Sequence, residues 1–170
     1  WKQSKQFVQA VEGFLIELED RLVDFKNIRY KGLEKKAEEI LDFFYYKYMD
    51  TPVLSRMDSI REYFVDEYET LYGRELSEEE NEFIQDKFDK MYVTKDLYKI
   101  YNWMLKDYGF EPLPEVECEK RKIPYEDVYP MLYLKYRLNG QKKRKEIKHL
   151  VIDEMQDYSY LQYAIIDNMF

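Results

Sequence analysis

Apolar residues recur at every third or fourth position through most of the first 110 residues. This spacing places them on one face of an α-helix, so it predicts a series of amphipathic helices. A short alternating stretch, 27–31, interrupts the series and predicts a strand, for which residues 116–123 are a candidate pairing partner. The predicted helices span 5–25, 33–48, 53–71, 77–92 and 94–108.

Capping residues support the boundaries of these helices. Ser77 and Glu80 have the spacing of a capping box, in which each side chain accepts a hydrogen bond from the backbone N–H of the other residue. Thr94 is a predicted N-cap, and Gly73 and Gly109 are predicted helix ends. We therefore expect this part of the chain to be helical.

The chain changes in character after residue 110. Residues 111–124 contain three of the five prolines among charged residues, which indicates a linker or a domain boundary. We therefore predict a helical domain at 1–110, a linker at 111–122 and a second domain at 123–170.

The second domain is predicted to combine a helix with a strand. Residues 125–138 are apolar almost all round, so we expect a helix that is buried on most sides and is bent by Pro130 or begins near it. Residues 149–152 are apolar and partly β-branched, which is typical of a buried parallel strand. A strand isolated from its sheet would expose unpaired edges, so we also expect the residues after 150 to be distorted or paired with a second copy. The predicted fold class is mainly α, with a small α/β piece at the end.

Composition excludes several classes of protein. Aromatic side chains make up 18% of the 170 residues, unlike the composition of disordered chains. No stretch approaches the roughly 20 apolar residues of a membrane helix, and no N-terminal signal pattern is visible. The single cysteine, Cys118, favours a reducing, cytoplasmic compartment, and the single histidine, His149, excludes a multi-histidine metal site.

The balance of charge limits the kind of partner. The chain has 27 basic and 35 acidic residues and a net charge of −8, which argues against a surface that binds nucleic acid throughout. A basic run from Lys142 to Lys148 is compatible with contact to a nucleic-acid backbone, although a solvated connector is the favoured interpretation. The five glycines are isolated from one another, and none has the spacing of a phosphate-binding loop.

Acidic and amide side chains follow the predicted strand, at Asp153, Glu154, Gln156 and Asp157. Ligands of open α/β sheets bind at the carboxyl ends of the strands, so these side chains are candidates for metal-assisted phosphoryl transfer. A first carboxylate can hold Mg²⁺, directly or through water. A second carboxylate can orient and deprotonate an attacking water, and the amide can sense the γ-phosphate.

The run LVIDEMQD at 150–157 resembles motif II, D-E-x-Q-D, of the UvrD/Rep-like superfamily 1 helicases. Residues 158–162 are similar to the family's continuation Y-S-P-L-Q. The departures are Tyr160 in the position of Pro and Met155 in the position of Ala. Residues 125–128 resemble the aromatic-x-Asp-aliphatic helix that precedes motif II, and with the residues after them they are closest to the HelD-like branch, which acts on RNA polymerase.

The resemblance implies a role for four residues in ATP hydrolysis. Asp153 would coordinate Mg²⁺, and Glu154 would be the catalytic base. Gln156 would contact the γ-phosphate of ATP or the attacking water. Asp157 would help to couple the nucleotide state to neighbouring motifs.

The resemblance also implies that 1–110 is a helical insertion and that 123–170 is part of a RecA-like P-loop NTPase lobe. Because no P-loop, second lobe or arginine finger is visible, we expect a fragment of a larger motor that is inactive alone. The parent is either a DNA helicase or translocase, or a HelD-like factor directed at RNA polymerase. The excess of acids over 1–120 favours a protein-facing arm. The alternative is an acidic helical interaction domain with no catalytic role and an accidental match to motif II.

Overall fold

The computed structural model describes residues 1–140 and 146–170, and this part of the chain is mainly helical, as the sequence predicts. Within these ranges there are seven α-helices and one two-stranded sheet, and none of the helices is long and apolar enough to cross a bilayer. The strands are β1 (Ile28–Tyr30) and β2 (Leu33–Lys35). The helices are α1 (Lys5–Leu22), α2 (Ala37–Asp42), α3 (Arg56–Tyr72), α4 (Glu78–Asp89), α5 (Leu97–Asp107), α6 (Tyr125–Asn139) and α7 (Tyr160–Met169).

These elements form two compact units. One unit consists of residues 19–95, and the other consists of residues 1–18 together with 96–170. The predicted domain boundaries on either side of 111–122 stay a prediction.

The two strands form a hairpin in the 19–95 unit, with Tyr30 opposite Leu33 in antiparallel register. The turn residues Lys31 and Gly32 have φ values of 42° and 94°, which are typical of the tight turn whose twist matches that of paired strands. The predicted pairing of the first strand with residues 116–123 is therefore wrong, because this turn pairs β1 with the segment that follows it. The predicted helix start at residue 33 is wrong for the same reason.

Helices α3 and α4 pack against each other in the 19–95 unit. Phe64 of α3 and Phe88 of α4 meet edge to face, with ring centroids 5.9 Å apart. Helical periodicity predicted most of this core correctly, but Leu71, the last apolar residue at this spacing in the predicted helix 53–71, is exposed in the last turn of α3. The buried side chains of the two helices include Met57, Ile60, Phe64, Tyr68, Ile84 and Phe88.

The predicted capping box at the start of α4 is confirmed. The N–H of Glu80 donates to Ser77 Oγ at 3.3 Å, and the N–H of Ser77 donates to Glu80 Oε2 at 3.0 Å. The predicted N-cap of α5, Thr94, is wrong, because Asp96 caps this helix and accepts a hydrogen bond from the N–H of Tyr98 at 3.0 Å. Aspartate is a better N-cap than threonine, so the later residue sets the helix start.

Glu80 is also the centre of a charged cluster. Its Oε1 accepts hydrogen bonds from Tyr30 Oη at 2.6 Å, from Lys31 Nζ at 2.6 Å and from the Arg74 guanidinium at 2.7 Å. A second Arg74 nitrogen donates to Oε2 at 2.9 Å. These donors, Arg74 foremost, hold the pKa of the Glu80 carboxyl well below its usual range.

We expect the Glu80 cluster to make the 19–95 unit sensitive to acid. Because the pKa of Glu80 is depressed in the folded state, its stabilisation is fully present above the ordinary value of 4.5 and declines as the pH falls below that value. Glu80→Gln should therefore lower Tm at neutral pH and flatten the decline of Tm between about pH 7 and pH 3, measured by circular dichroism. Glu79→Gln is the matched control on the same turn, and superimposable profiles for the two variants would show that the prediction is wrong.

The other unit is built on α5, α6 and α7, with α6 packed against both of the others. The predicted helix at 125–138 is confirmed, and α6 continues through Pro130. Its predicted burial holds for most of the helix, in which six side chains are buried, whereas Tyr125 in the first turn is 76% exposed. The buried side chains include Tyr101, Met104, Met131, Leu134, Leu138, Leu161 and Ile165.

The proline-rich residues 111–117 are fixed to α5. The side chain of Asn102 donates to the carbonyl of Leu113 at 2.9 Å and accepts from the N–H of Leu113 at 2.8 Å. The Tyr98 hydroxyl donates to the carbonyl of Pro114 at 2.9 Å. This stretch is therefore held by a helix of its own unit.

Candidate functional site

The acidic segment after residue 152 forms one tight turn. Glu154 has a left-handed backbone conformation with φ 49°, and Met155–Asp157 form a 3-10 turn. Asp153 Oδ1 accepts a hydrogen bond from the N–H of Glu154 at 2.9 Å, and the N–H of Asp157 donates to the carbonyl of Glu154 at 3.0 Å. The Gln156 amide donates to the Glu154 carboxylate. The turn therefore brings the predicted metal ligand, base and amide into one hydrogen-bonded group.

All four candidate side chains of this turn are exposed. The buried strand predicted at 149–152 is wrong for this chain, because these residues have no regular secondary structure and Val151 is 91% exposed. A strand is stabilised by hydrogen bonds to a neighbouring strand. In the part of the chain that the structure describes, the strands are those of the β1–β2 hairpin, which offer no partner to the apolar run.

The residues that follow the acidic turn start α7. Ser159 is the N-cap, and its Oγ accepts a hydrogen bond from the N–H of Gln162 at 3.3 Å. Gln162 Oε1 in turn accepts from the N–H of Ser159 at 2.7 Å. Leu161 is buried, and its N–H donates to the carbonyl of Gln3 at 3.3 Å. Ser159 and Gln162 therefore form a capping box at the start of α7.

Tyr160 stands where the resembled motif has proline, and the fold accepts either residue at this position. It is the first residue of α7, and this position favours proline because the helix does not use the backbone N–H there. The hydroxyl of Tyr163, one turn later, donates to the carbonyl of Met155. This hydrogen bond ties the acidic turn to α7.

The side chains of the acidic turn match Mg²⁺ in the kind of donor they offer. Mg²⁺ is bound by one or two carboxylates and shares its other positions with water and phosphate oxygens. Asp153, Glu154 and Asp157 supply carboxylates, but no group of three or more His, Cys, Asp or Glu side chains within 1–140 and 146–170 is arranged to hold a metal ion. Further ligands would therefore have to come from phosphate, water or other residues.

Asp127, in the first turn of α6, lies in a buried polar cluster. It is 1% exposed, and its Oδ1 accepts hydrogen bonds from Tyr101 Oη and from Lys2 Nζ, each at 2.5 Å. Burial and then the neighbouring carboxylate raise the pKa of Tyr101, so its hydroxyl stays protonated as a donor. This cluster could not be found from the sequence, because the two partners are 26 and 125 residues from Asp127.

Arg56 forms a second buried polar site that the sequence did not reveal. It is 6% exposed and donates to the carbonyls of Thr51 at 2.9 Å, Met49 at 3.0 Å and Phe44 at 3.3 Å. It also donates to Glu19 Oε1 at 2.9 Å. The sequence around Arg56 does not distinguish it from the exposed arginines, because three of its acceptors are backbone carbonyls of the segment between α2 and α3.

The remaining residues that the sequence singled out are the basic run, His149 and Cys118. The residues Lys142–Lys145 of the basic run lie outside the described residues, so its interpretation as a nucleic-acid contact or as a connector stays a prediction. Lys148 and His149 are exposed. Cys118 is an exposed free thiol.

No protein-family model matches this chain, and no curated protein shows significant similarity to it. The resemblance to motif II therefore depends on the residues of 150–162 and on the helix that begins at Tyr125.

Proposed function

We propose that this chain is part of an ATP-dependent superfamily 1 DNA helicase or translocase of the UvrD/Rep-like family, closest to the HelD-like branch. The observation that supports the proposal is the run D-E-M-Q-D at 153–157, followed by Ser159 and Gln162 at the family's spacing. In this proposal, 123–170 belongs to a RecA-like P-loop NTPase lobe and 1–110 is a helical accessory domain.

Four side chains have proposed roles in ATP hydrolysis. Asp153 would hold Mg²⁺, which neutralises charge on the transferred phosphate when it is bound. Glu154 would orient and deprotonate the attacking water, and Gln156 would contact the same water or the γ-phosphate. The hydrogen bond between Gln156 and Glu154 supports this pairing of roles. Asp157 would couple nucleotide state to neighbouring motifs.

Hydrolysis of ATP by this family also requires a phosphate-binding loop, and the five glycines of the 170 residues do not form one. The proposal therefore places the P-loop in other residues of the same protein. Translating the gene upstream of Trp1 tests this directly. We expect G-x-x-x-x-G-K-[ST] there, and a gene without it would contradict the proposed motor.

We expect the purified 170-residue chain to show no Mg²⁺-dependent ATP hydrolysis, because Asp153 and Glu154 act on phosphates that a separate loop must hold. The measurement is phosphate release with and without Mg²⁺, for the unaltered chain and for Glu154→Gln. A Mg²⁺-dependent rate that Glu154→Gln abolishes would show that the chain is active alone.

Glu154→Gln in the intact parent protein tests whether Glu154 is the catalytic base. Loss of a positioned general base lowers kcat by about 10²–10⁴-fold, so Glu154→Gln should do so while ATP binding is retained. Glu146→Gln, which alters an exposed carboxylate outside the motif, is the matched control. Equal rates for the two variants would remove Glu154 from the mechanism.

A second candidate function is an acidic arm that binds RNA polymerase. The 19–95 unit contains 13 basic and 20 acidic residues, so it accounts for −7 of the net charge. Such a surface repels DNA phosphates and is complementary to a basic channel on a protein. The same surface would suit an acidic interaction domain with no motor parent. The exposed acids of α3 and α4 include Glu62, Asp66, Glu78, Glu79, Glu82 and Asp86.

We expect bacterial RNA polymerase, and not DNA, to bind the chain in a salt-sensitive manner, because the charge of 19–95 favours a basic partner. The measurement is a pull-down with polymerase beside gel shifts with single- and double-stranded DNA at the same salt concentration. Glu62→Lys with Asp66→Lys should weaken the polymerase complex, whereas Asp153→Lys serves as the control outside this unit. Tight, salt-sensitive DNA binding would contradict the protein-facing arm.

A further inference from the structure

A lysine side chain lies among three aromatic rings in the 19–95 unit. Helix α2 continues as a π-helical turn, Phe43–Lys47, and Tyr48 follows it. Lys47 Nζ is 3.5 Å from the ring centre of Tyr63, 4.6 Å from that of Phe43 and 5.6 Å from that of Tyr48. A cation is attracted to an aromatic face within about 6 Å, so all three rings contact this ammonium. We call Phe43, Tyr48 and Tyr63 the aromatic cage.

Within the aromatic cage, the Phe43 ring is nearly perpendicular to each of the two tyrosine rings. Phe43 and Tyr63 have centroids 5.1 Å apart and an interplanar angle of 88°, and Phe43 and Tyr48 have centroids 6.4 Å apart and an angle of 81°. The observation that distinguishes these rings from a core contact is that one ammonium, Lys47 Nζ, lies within about 6 Å of all three ring centres. Cages of this kind bind quaternary ammonium groups, and π-helical turns are frequent at functional sites.

Two lysines approach these rings, but they differ in how they are held. Lys35 Nζ is 5.2 Å from the centre of Tyr63 and 5.5 Å from that of Phe43. It is buried and pairs with Glu67 Oε2 at 2.6 Å, so it is a fixed structural cation. Lys47 is exposed, and its described contacts are with the rings of the aromatic cage. Its ammonium can therefore leave for water without breaking a buried ion pair.

The surroundings of the aromatic cage favour a positive ligand. The pKa of the Tyr48 hydroxyl is raised, first by burial and also by the neighbouring charges of Glu62 and Asp66. Both carboxylates are exposed on α3, and they belong to the unit with most of the chain's negative charge. A field of this sign raises the local concentration of cations.

We propose that the aromatic cage is a binding site for an organic ammonium cation, and that Lys47 occupies this site in the free protein. A lysine ammonium is strongly hydrated and loses water when it enters a cage of rings. A quaternary ammonium has no N–H group that binds water, so it loses less hydration free energy when it enters the aromatic cage. It therefore displaces the Lys47 ammonium. This inference is independent of the role of Asp153 and Glu154.

The test is a titration of the full chain with tetramethylammonium, followed through the ring proton resonances of Phe43 and Tyr63. We expect Lys47→Met to bind about fivefold more tightly than the unaltered chain, because the competing cation is gone. Tyr63→Leu in the Lys47→Met background should abolish the binding. Far-UV circular dichroism establishes that each variant is folded. The unaltered chain gives a second measurement, because it should show the same shifts at a higher concentration of tetramethylammonium.

Lys87→Met is the matched control. Lys87 Nζ lies 4.7 Å from the centre of one ring, Phe83, so its removal frees a single ring and not a cage. We expect no gain in tetramethylammonium affinity from this variant. Equal affinity of the Lys47→Met and Lys87→Met variants, or binding that survives Tyr63→Leu, would overturn the proposal, as would the absence of ring shifts in the folded Lys47→Met and unaltered chains.

Two further probes distinguish the sources of such a cation. Choline represents a free small molecule, and a peptide with trimethyl-lysine, compared with the same peptide unmodified, represents the side chain of a partner protein. Tighter binding of choline would assign the aromatic cage to a small cation, and tighter binding of the methylated peptide would assign it to a protein. Failure of both to bind would overturn the proposal.

Discussion

Asp127→Ala is expected to lower the free energy of unfolding of the unit that contains α5 and α6 by about 3 kcal/mol, because it removes one partner of a buried charged pair. The carboxylate is fully buried and is the acceptor for both Tyr101 and Lys2 at 2.5 Å. Without it, the Tyr101 hydroxyl is a buried donor with no acceptor, and such a group costs free energy. Native-state hydrogen exchange of amides in α5 and α6 measures the change for this unit.

Two further variants separate the buried cluster from a general effect of lost charge. Asp127→Asn keeps an oxygen acceptor for Tyr101, and Lys2 can turn its partly exposed ammonium to water, so a smaller loss is expected. Asp157→Ala removes an exposed carboxylate of the same unit and should change the free energy of unfolding by no more than about 0.5 kcal/mol. An Asp127→Ala effect as small as that of Asp157→Ala would show that the cluster contributes little.

Arg56→Ala should destabilise the 19–95 unit by about 3 kcal/mol, since three carbonyls and the carboxylate of Glu19 lose a buried donor at once. The guanidinium joins the carbonyls of Phe44, Met49 and Thr51, which belong to the segment between α2 and α3. It also lies 5.0 Å from the ring centre of Phe44. We expect loss of amide protection to be largest in this segment, measured by hydrogen exchange.

The control for Arg56 is an arginine–glutamate pair on the surface. Arg29 donates to Glu34 at 3.1 Å but is largely exposed, so Arg29→Ala should cost no more than about 1 kcal/mol. Arg56→Lys should be intermediate, because an ammonium cannot reach carbonyls in several directions as a planar guanidinium does. If Arg56→Lys matched the unaltered chain, charge alone would explain the role of this residue.

The helices were predictable because their signals are local. The spacing of Ile60, Phe64 and Tyr68 places them on one face of α3, and Ser77 with Glu80 marks the start of α4 within four residues. The N-cap at Asp96 was missed because two candidate caps, Thr94 and Asp96, lie close together, and the stronger preference for aspartate decides between them.

The strand at 149–152 was predicted wrongly because a strand is not a local structure. Its apolar side chains satisfy the pattern of a buried strand, but burial requires neighbouring strands that this part of the chain does not provide. The hairpin of β1 and β2 was half predicted. The alternation at 27–31 indicated a strand, but its partner depended on the positive φ values of Lys31 and Gly32, which the sequence suggests only at the glycine.

The candidate sites show the same difference between features that are local in the sequence and features that are not. The order of residues in a motif indicated four candidate side chains, those of Asp153, Glu154, Gln156 and Asp157. The structure places these side chains together because they are neighbours in one turn. The ring contacts of Lys47, by contrast, join the π-helical turn Phe43–Lys47 to α3. No motif describes such a cluster, so it could not be found from the sequence.

The sequence by itself determined the helical character of this protein, most of its inward-facing residues, its acidic charge and the acidic motif at 153–157. Each of these follows from the identity of residues within a few positions of one another. Only the tertiary structure decided that Asp127 is buried with Tyr101 and Lys2, that Arg56 joins three carbonyls and that Lys47 lies in an aromatic cage. These arrangements depend on the side chains that packing brings together. The number of residues between two positions does not reveal how far apart they lie in the folded chain.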